Sequence, residues 1–538
     1  MPCSGELSRM FVLELRAAAK RLGARPSLVV ITACLLLLTA PVTAEEKSGS
    51  TSKSPAGASQ QTAEPEQWSE DYPTAETEPQ TPQATDQSSP KSESQTEATP
   101  QATEPAQWSE DYLTAEKEPQ TTKVIKQSSP TPWFRKKHPV VTTHDKEPGS
   151  EPESWLKGQH FFGDWGGLRP RLAKNGILFE LVYTAEVMSR VAGGDPSVGS
   201  TSGLGNLDVT VTLDTGNLNW WKGGTFFVYF ENLVGDGNRI NDALGGANPP
   251  LAPISTLDAD DFTQLSAYYF EQTLCDGKCR LKIGKYDANA EFANSMITGE
   301  FINSGLSPPP NIPMPTFPDP ALGFLGEVTP YDWLQLRTSV WGADLDGRQN
   351  GDSGLFSGDL IGLFEVDVTA TNLNRYGGTY RLGGWYSTLE TDEIVPSTNN
   401  NPIQFNDNYG FYILIDQPIY LEPGAKDSGG PGLTAFFEYS WAPEDRNQIN
   451  QFLSMGAMYT GLIPKRDSDE LGFAFTYMVP SSRLDPDGLG NNQTNYELFY
   501  KANLTPWLYV QPNLQWLYNV GGATTNAAVV GLRVGISG

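Results

Sequence analysis

Charged side chains at alternate positions are the residues of this chain whose types and spacing bear on chemistry. Glu180, Glu186, Arg190, Asp208, Lys282, Arg337, Glu365, Asp367, Arg381 and Arg533 interleave with apolar neighbours, which gathers them on the polar faces of extended strands. Lys285 and Asp287 close one such run, and Trp385 adds a flat apolar ring. Such groups donate and accept hydrogen bonds to solutes well, but nucleophilic catalysis needs a base as partner. His138, His144 and His160 are the only histidines and all precede the strand-rich region. That region therefore has no imidazole for a Ser-His-Asp or Cys-His site, or for a His-ligated metal. A glycosidase would need two carboxylates roughly 5 to 9.5 Å apart, a relation in space that a linear sequence does not exhibit. No cofactor is expected.

Two other motifs carry chemistry. Cys275-Asp276-Gly277-Lys278-Cys279 sets two thiols across an Asp-Gly turn; in an oxidising exported compartment this reads as a structural hairpin disulfide, with no third thiol or His for zinc. Asp344-Leu345-Asp346-Gly347-Arg348-Gln349-Asn350-Gly351-Asp352 has the outline of a calcium loop. Arg348 stands where an EF-hand needs Asp or Asn, so a solvated loop is the better reading.

The chain that positions these residues has 538 residues, 37 Lys plus Arg against 64 Asp plus Glu (net −27) and 38% hydrophobic residues. So acidic a chain has no basic footprint for nucleic acid. Up to Ser150 there are 20 acidic and 15 basic residues, and after it 44 and 22, so the C-terminal part carries most of the excess. Residues 1–44 read as a secretory signal: Arg16, Lys20, Arg21 and Arg25 precede the apolar run Leu28 to Leu38 and the small-residue site Val42-Thr43-Ala44. Residues 45–153, dense in Ser, Thr, Pro, Gln and Glu, bury too little apolar area to offset chain entropy and are expected to be a disordered acidic tail. The tail repeats itself at a spacing of 40 residues, Gln67-Trp68-Ser69-Glu70-Asp71-Tyr72 recurring as Gln107-Trp108-Ser109-Glu110-Asp111-Tyr112. A duplicated spacer explains this with fewer assumptions than a pair of docking motifs for a periplasmic partner.

From Ile177 the pattern has period two. Ile177, Phe179, Leu181, Tyr183, Ala185 and Val187 share one face, and Glu180, Thr184 and Glu186 the other; Leu207–Leu213, Leu334–Val340, Phe364–Ala370, Tyr496–Lys501 and Leu508–Trp516 repeat it. Alternation alone fits a soluble sandwich as well as a barrel. Three features favour the barrel: the number of strands, the Gly/Asn/Asp-rich loops, and aromatics near strand ends, among them Trp220-Trp221, Tyr268-Tyr269, Trp333, Trp341, Trp385-Tyr386, Trp441, Trp507 and Trp516. The expected fold is an all-β transmembrane antiparallel β-barrel over residues 154–538, with about 16 strands.

Gly163-Asp164-Trp165-Gly166-Gly167-Leu168-Arg169, followed by Arg171-Leu172-Ala173 and Asn175-Gly176-Ile177, resembles the opening of the carbohydrate-selective porins of the OprB family. Gly284-Lys285-Tyr286-Asp287 with Phe301-Ile302-Asn303-Ser304, Gly378-Thr379-Tyr380-Arg381-Leu382-Gly383-Gly384-Trp385-Tyr386, Asp416-Gln417, Ala442-Pro443-Glu444-Asp445-Arg446-Asn447 and Tyr459-Thr460-Gly461-Leu462-Ile463-Pro464 are similar to its later blocks, in order. Arg466-Asp467-Ser468-Asp469 and Gly531-Leu532-Arg533-Val534 complete the series. The chain departs from the pattern in its acidic tail and in ending Ile536-Ser537-Gly538, without a terminal aromatic. The resemblance implies a 16-stranded pore in the bacterial outer membrane through which sugars diffuse. Its partners are then carbohydrate solutes and outer-membrane lipid; a homotrimer is compatible with it.

A lumen for sugars needs charged and amide groups to replace water around hydroxyls, an aromatic platform such as Trp385, and contacts weak enough for release. Most of the polar-face candidates serve as wall residues, since only a constriction discriminates. The Pro-rich stretch Leu306 to Pro320 is stiff enough to form one, and reads equally as an ordinary loop. Two other readings stay open: a general or cation-preferring diffusion pore, and a soluble exported glycan-binding β-protein.

Overall fold

The computed structural model describes residues 155–538 apart from 296, 307, 344–357, 371–375, 397–400 and 424–429. The signal segment 1–44, the tail 45–153 with its duplicated motif, and the loop 344–352 therefore lie outside the described residues.

Residues with period-two alternation become strands, as the pleat requires. In chain order these are β1 Ile177–Gly193, β2 Thr201–Asp214, β3 Gly224–Gly235, β4 Phe262–Leu274, β5 Cys279–Tyr286, β6 Ala321–Tyr331, β7 Leu334–Gly342, β8 Leu360–Thr369 and β9 Thr379–Ser387. After the small hairpin β10 Thr391–Asp392 and β11 Gln404–Phe405 come β12 Asn408–Leu421, β13 Gly432–Trp441, β14 Ile449–Thr460, β15 Glu470–Pro480, β16 Gln493–Thr505, β17 Leu508–Tyr518 and β18 Ala527–Ser537. All but β10 and β11 join in one closed antiparallel barrel of 16 strands. β1 closes it against β18, from Val182 opposite Ser537 to Gly193 opposite Ala527, with a bulge between Arg190 and Ala192. Closure leaves no exposed strand edge.

Exposure decides which face is inside. Val187, Ile283, Phe364 and Phe473 are each about half exposed, while Glu186, Lys282, Glu365 and Thr476 beside or near them are at most 2% exposed. The apolar face looks outward and the charged face inward, the reverse of a soluble sandwich. No described helix is long and apolar enough to cross a membrane; the surface suited to a bilayer is the outward apolar face of the closed barrel.

The two rims differ. Turns 275–278, 332–333 and 506–507 lie on the rim that also holds both ends of the barrel chain; the opposite rim carries 236–261, 287–320 and 388–407. By the usual asymmetry of such barrels, the short-turn rim is periplasmic. Trp220, Trp221, Trp333 and Tyr386 are exposed as girdle residues should be. Tyr269, Trp341 and Trp385 instead point inward and are buried, and Trp507 is buried against Trp155, a correction to their assignment to the girdle. Gly383 lets Tyr412 of the adjacent strand lie flat across its backbone: a Cβ there would meet the ring at 2.0 Å.

An N-terminal segment seals the β1/β18 seam. Before β1, helix α1 (Leu168–Lys174) follows a turn in which Phe161 N–H donates to Ser537 O at 2.7 Å. Arg169 reaches both Gly538 O (2.7 Å) and Phe179 O (2.8 Å), and the Trp155 and Trp507 rings meet at 4.5 Å. Burial, with Arg169 nearby, lowers His160 from 6.5 to about 4. A base kept neutral in this way supports docking fully above about 6.5, and that support is lost as pH falls toward 4. Hydrogen exchange at the Phe161 amide should therefore quicken at pH 4 relative to pH 7, beyond the intrinsic change, and His160→Phe should abolish the difference. A pH-independent protection factor in the parent chain would refute this.

Candidate functional site

The lumen is built from two loops and the walls they grip. Loop 287–320, between β5 and β6, contains the Pro-rich stretch that reads as either a constriction or an ordinary loop, and it folds inward. Asp287 ties its two ends by accepting from Asn289 N–H (2.7 Å) and Phe317 N–H (3.3 Å). The loop then follows the wall. Ala293 N–H donates to Glu365 (2.9 Å), Ile302 and Asn303 N–H donate to Glu497 (2.8 and 2.9 Å), Glu300 pairs with Lys501 (2.6 Å), and Gln264 donates to Pro318 O (2.9 Å). Apolar anchors pin it between these bonds: Phe292 on Trp341, and Phe301 between Phe436 and Phe499. These strand positions interrupt the polar lumen face with large rings, because a loop covers them.

Loop 236–261, between β3 and β4, lies beside it. Its helix α2 (Arg239–Gly245) buries Ile240 and Leu244 against Met188, Val520 and Val529. Thr256 N–H bonds Ile302 O (2.8 Å) and Ser304 N–H bonds Pro253 O (3.2 Å), so the two loops brace each other. Arg533 holds the second loop through Thr256 Oγ1 (2.9 Å) while pairing with Glu186 (2.7 Å).

Five of the expected residues meet in one charged belt. Arg337 pairs with Asp367 (2.6 Å) and Glu365 (3.3 Å), and Arg381 with Asp416 (2.6 Å) and Asp367 (3.7 Å). Lys282 pairs with Glu291 (2.8 Å) and lies 3.8 Å from the centre of the Tyr269 ring. Arg280 continues the belt to Glu291 and Glu327, both at 2.6 Å, and to Glu271 at 3.1 Å. The register explains the alternation of sign, since Arg280, Glu327, Arg337 and Glu365 face one another in turn across β5 to β8, and Asp367 faces Arg381. Arg280, Arg337 and Arg381 therefore each have carboxylates on both flanking strands, whereas Lys282 faces Glu271 on β4 and Leu325 on β6. Glu291 is the node: burial pushes its carboxyl up, yet Arg280 and Lys282 together hold it well below the usual carboxylate range.

The other candidates are scattered. Asp208 faces Glu231 across β2 and β3; Asn206 Nδ2 bridges the two carboxylates (2.7 and 3.2 Å), and Tyr229 and Ser266 donate to them (2.7 and 2.6 Å). Lys285 is buried on β5. Arg190 staples the β1–β2 loop through the carbonyls of Gly193 and Val198, and Glu180 sits half-buried near Arg169 at the periplasmic rim. Trp385 packs among Trp341, Leu363 and Tyr412 beneath the loop, so as a stacking platform it is covered. The two cysteines of the expected disulfide flank one tight turn: Cys275 is exposed in a left-handed conformation (φ 53°), and Cys279 opens β5 opposite Leu274.

Arg280, Glu271, Glu327 and Glu231 were missed although each continues a strand's alternation. Glu291 lies in a loop with no period, and only its burial between cations marks it. The arrangement offers hydrogen-bonding walls and a gripped inner loop.

Comparison with known proteins gives the same answer. The family model for the carbohydrate-selective porins of the OprB family matches residues 200–537. Porin B of Pseudomonas aeruginosa is 23% identical over 437 residues, covering 73% of this chain and 93% of that protein. The putative porin QuiX of Acinetobacter baylyi is 20% identical over 427 residues, covering 72% and 93%. The high-pH structure of Pseudomonas putida OprB superposes with a TM-score of 0.64 at 20% identity, covering 72% of this chain and 100% of that one. The chain belongs to the OprB family of carbohydrate-selective porins, outer-membrane proteins through which sugars diffuse.

Proposed function

We propose that neutral mono- and small oligosaccharides pass down their gradient through the space that loops 236–261 and 287–320 leave in the barrel, and that loop 287–320 sets the size limit. The observation that carries this is the internal pairing of the belt. Arg280, Lys282, Arg337 and Arg381 are each within 3.3 Å of at least one carboxylate, so their charge is already committed and none is offered to a passing anion. Asp208 and Glu231, held by Asn206, Tyr229 and Ser266, add acceptors that suit hydroxyl donors and repel anions. A sugar exchanging modest bonds along such walls is admitted and released. In this reading residues 1–44 direct export, residues 45–153 lie in the periplasm, and the protein acts as a channel without catalysing a reaction.

Swelling of liposomes containing the purified barrel tests the proposal with glucose, a disaccharide and an anionic solute of glucose size. Glucose should enter fastest, the disaccharide several-fold more slowly and the anion slowest. Equal rates for all three would reduce the protein to a general diffusion pore. Preferential entry of small cations over glucose would favour the cation-preferring reading that the net −22 after Ser150 also suits.

A further inference from the structure

The outer wall carries a trough that sugar passage does not use. Leu281, Gly326, Thr338 and Phe364 face one another in turn across β5 to β8, and all four belong to the outward face. Two small residues thus lie between two large ones. Leu274, Val328 and Leu336 extend the sides, and the trough encloses about 450 Å³. Its floor is open: a Cβ added at Gly326 would meet only a Leu281 methyl, at 3.9 Å.

The mouth lies on the short-turn rim, where Cys275 and Cys279 line it. Between them Asp276 and Lys278 are both exposed, an anion and a cation two residues apart. On the neighbouring turn Tyr331 and Trp333 stack at 5.5 Å with their rings 7° from parallel, and both are exposed. Aromatic rings of this kind sit at the headgroup level of a bilayer.

We propose that the trough binds one acyl chain of a glycerophospholipid from the periplasmic leaflet, with the phosphate at Lys278 and the headgroup amine at Asp276. Three observations select this occupant. The trough is apolar and faces the membrane, where hydrocarbon is the solvent. Its concave floor fits a chain better than the flat flank of a second barrel. The paired charges at its mouth complement a zwitterionic headgroup.

The test uses the full-length chain in mild detergent, exposed to palmitoyl-oleoyl-phosphatidylethanolamine and examined by native mass spectrometry. The parent chain should retain one lipid per barrel. Gly326→Phe combined with Thr338→Phe fills the trough and should lower the retained fraction about tenfold, the loss expected from a few methylene contacts. Lys278→Glu leaves the trough intact and should weaken retention about threefold. Heat-modifiable migration reports folding in each case, and if the filled variant does not fold, the Lys278→Glu result decides. Equal retention in the folded filled variant would overturn the proposal. So would displacement of the phospholipid by lipopolysaccharide, which would move the binding to the other leaflet. A dimer mass abolished by filling would assign the trough to a second copy and equally overturn it.

Discussion

Replacing Glu291 by Ala should lower the stability of the folded barrel by about 3–5 kcal/mol, the cost of breaking a buried ion pair on one side. Glu291 accepts from Arg280 at 2.6 Å and from Lys282 at 2.8 Å; Glu291 and Lys282 are wholly buried and Arg280 is mostly so. Arg280 keeps Glu271 and Glu327 in the variant. Lys282 loses its direct ion pair and keeps the rings of Tyr269 and Tyr286, at 3.8 and 4.3 Å, worth about 2 kcal/mol between cation and ring when desolvated, with the more distant attraction of Glu271 opposite it on β4, so its charge is the less compensated of the two. The functional effect follows from position. Glu291 attaches the first part of loop 287–320 to β5, and its carbonyl accepts from Arg337. Releasing that end should raise single-channel conductance and reduce discrimination between glucose and a disaccharide. Adding Lys282→Met to the variant removes the stranded charge and should recover more than half of the lost stability without restoring the size limit. An unchanged denaturation midpoint in the single variant, or no recovery in the double, would remove Glu291 as the node of the belt.

The sequence told more about the wall than about the lumen, for a physical reason. A strand's period of two is local, so β1, β2, β7, β8 and β17 could be read residue by residue, and Leu334 to Val340 falls within β7 Leu334–Gly342. Inside and outside were not separable from alternation, because the pattern is the same with either face buried. The half-exposed Phe364 beside the wholly buried Glu365 separates them. The belt was legible in part: Lys282, Arg337, Glu365, Asp367 and Arg381 sit on strands whose pairing brings them together. Glu291 was not, since it comes from a loop whose path depends on contacts as remote in sequence as Ile302 with Glu497. Trp385 suits a stacking platform by residue type alone, and alternation does not say which way it faces. Only the fold shows that Trp341 and Tyr412 already surround it. Periodicity locates a side chain on a face; it does not say whether solvent or another loop meets that face.

The second large effect is expected at Ile283, one residue from Lys282 and facing the other way. It is 52% exposed where Lys282 is 1% exposed, and on β5 it lies between Phe270 and Phe324 of the flanking strands. In a water-soluble sheet, replacing so exposed an isoleucine by Arg would change stability by no more than about 0.5 kcal/mol. On the lipid face of a barrel the same change puts a guanidinium into hydrocarbon at a cost of about 2–4 kcal/mol near the midplane. Ile283→Arg should therefore destabilise the protein by that amount in guanidinium titrations of barrels refolded into phospholipid vesicles, whereas Ile283→Leu, which conserves volume and hydrocarbon contact, should stay within about 1.5 kcal/mol of the parent. The sign of the comparison carries the inference: burial of charge inside the wall and exposure of isoleucine outside it are stable together only if the surrounding solvent is lipid. A neutral or stabilising Ile283→Arg would contradict the lipid-facing assignment of the outer face of β5 and of the Phe270 and Phe324 positions that flank it.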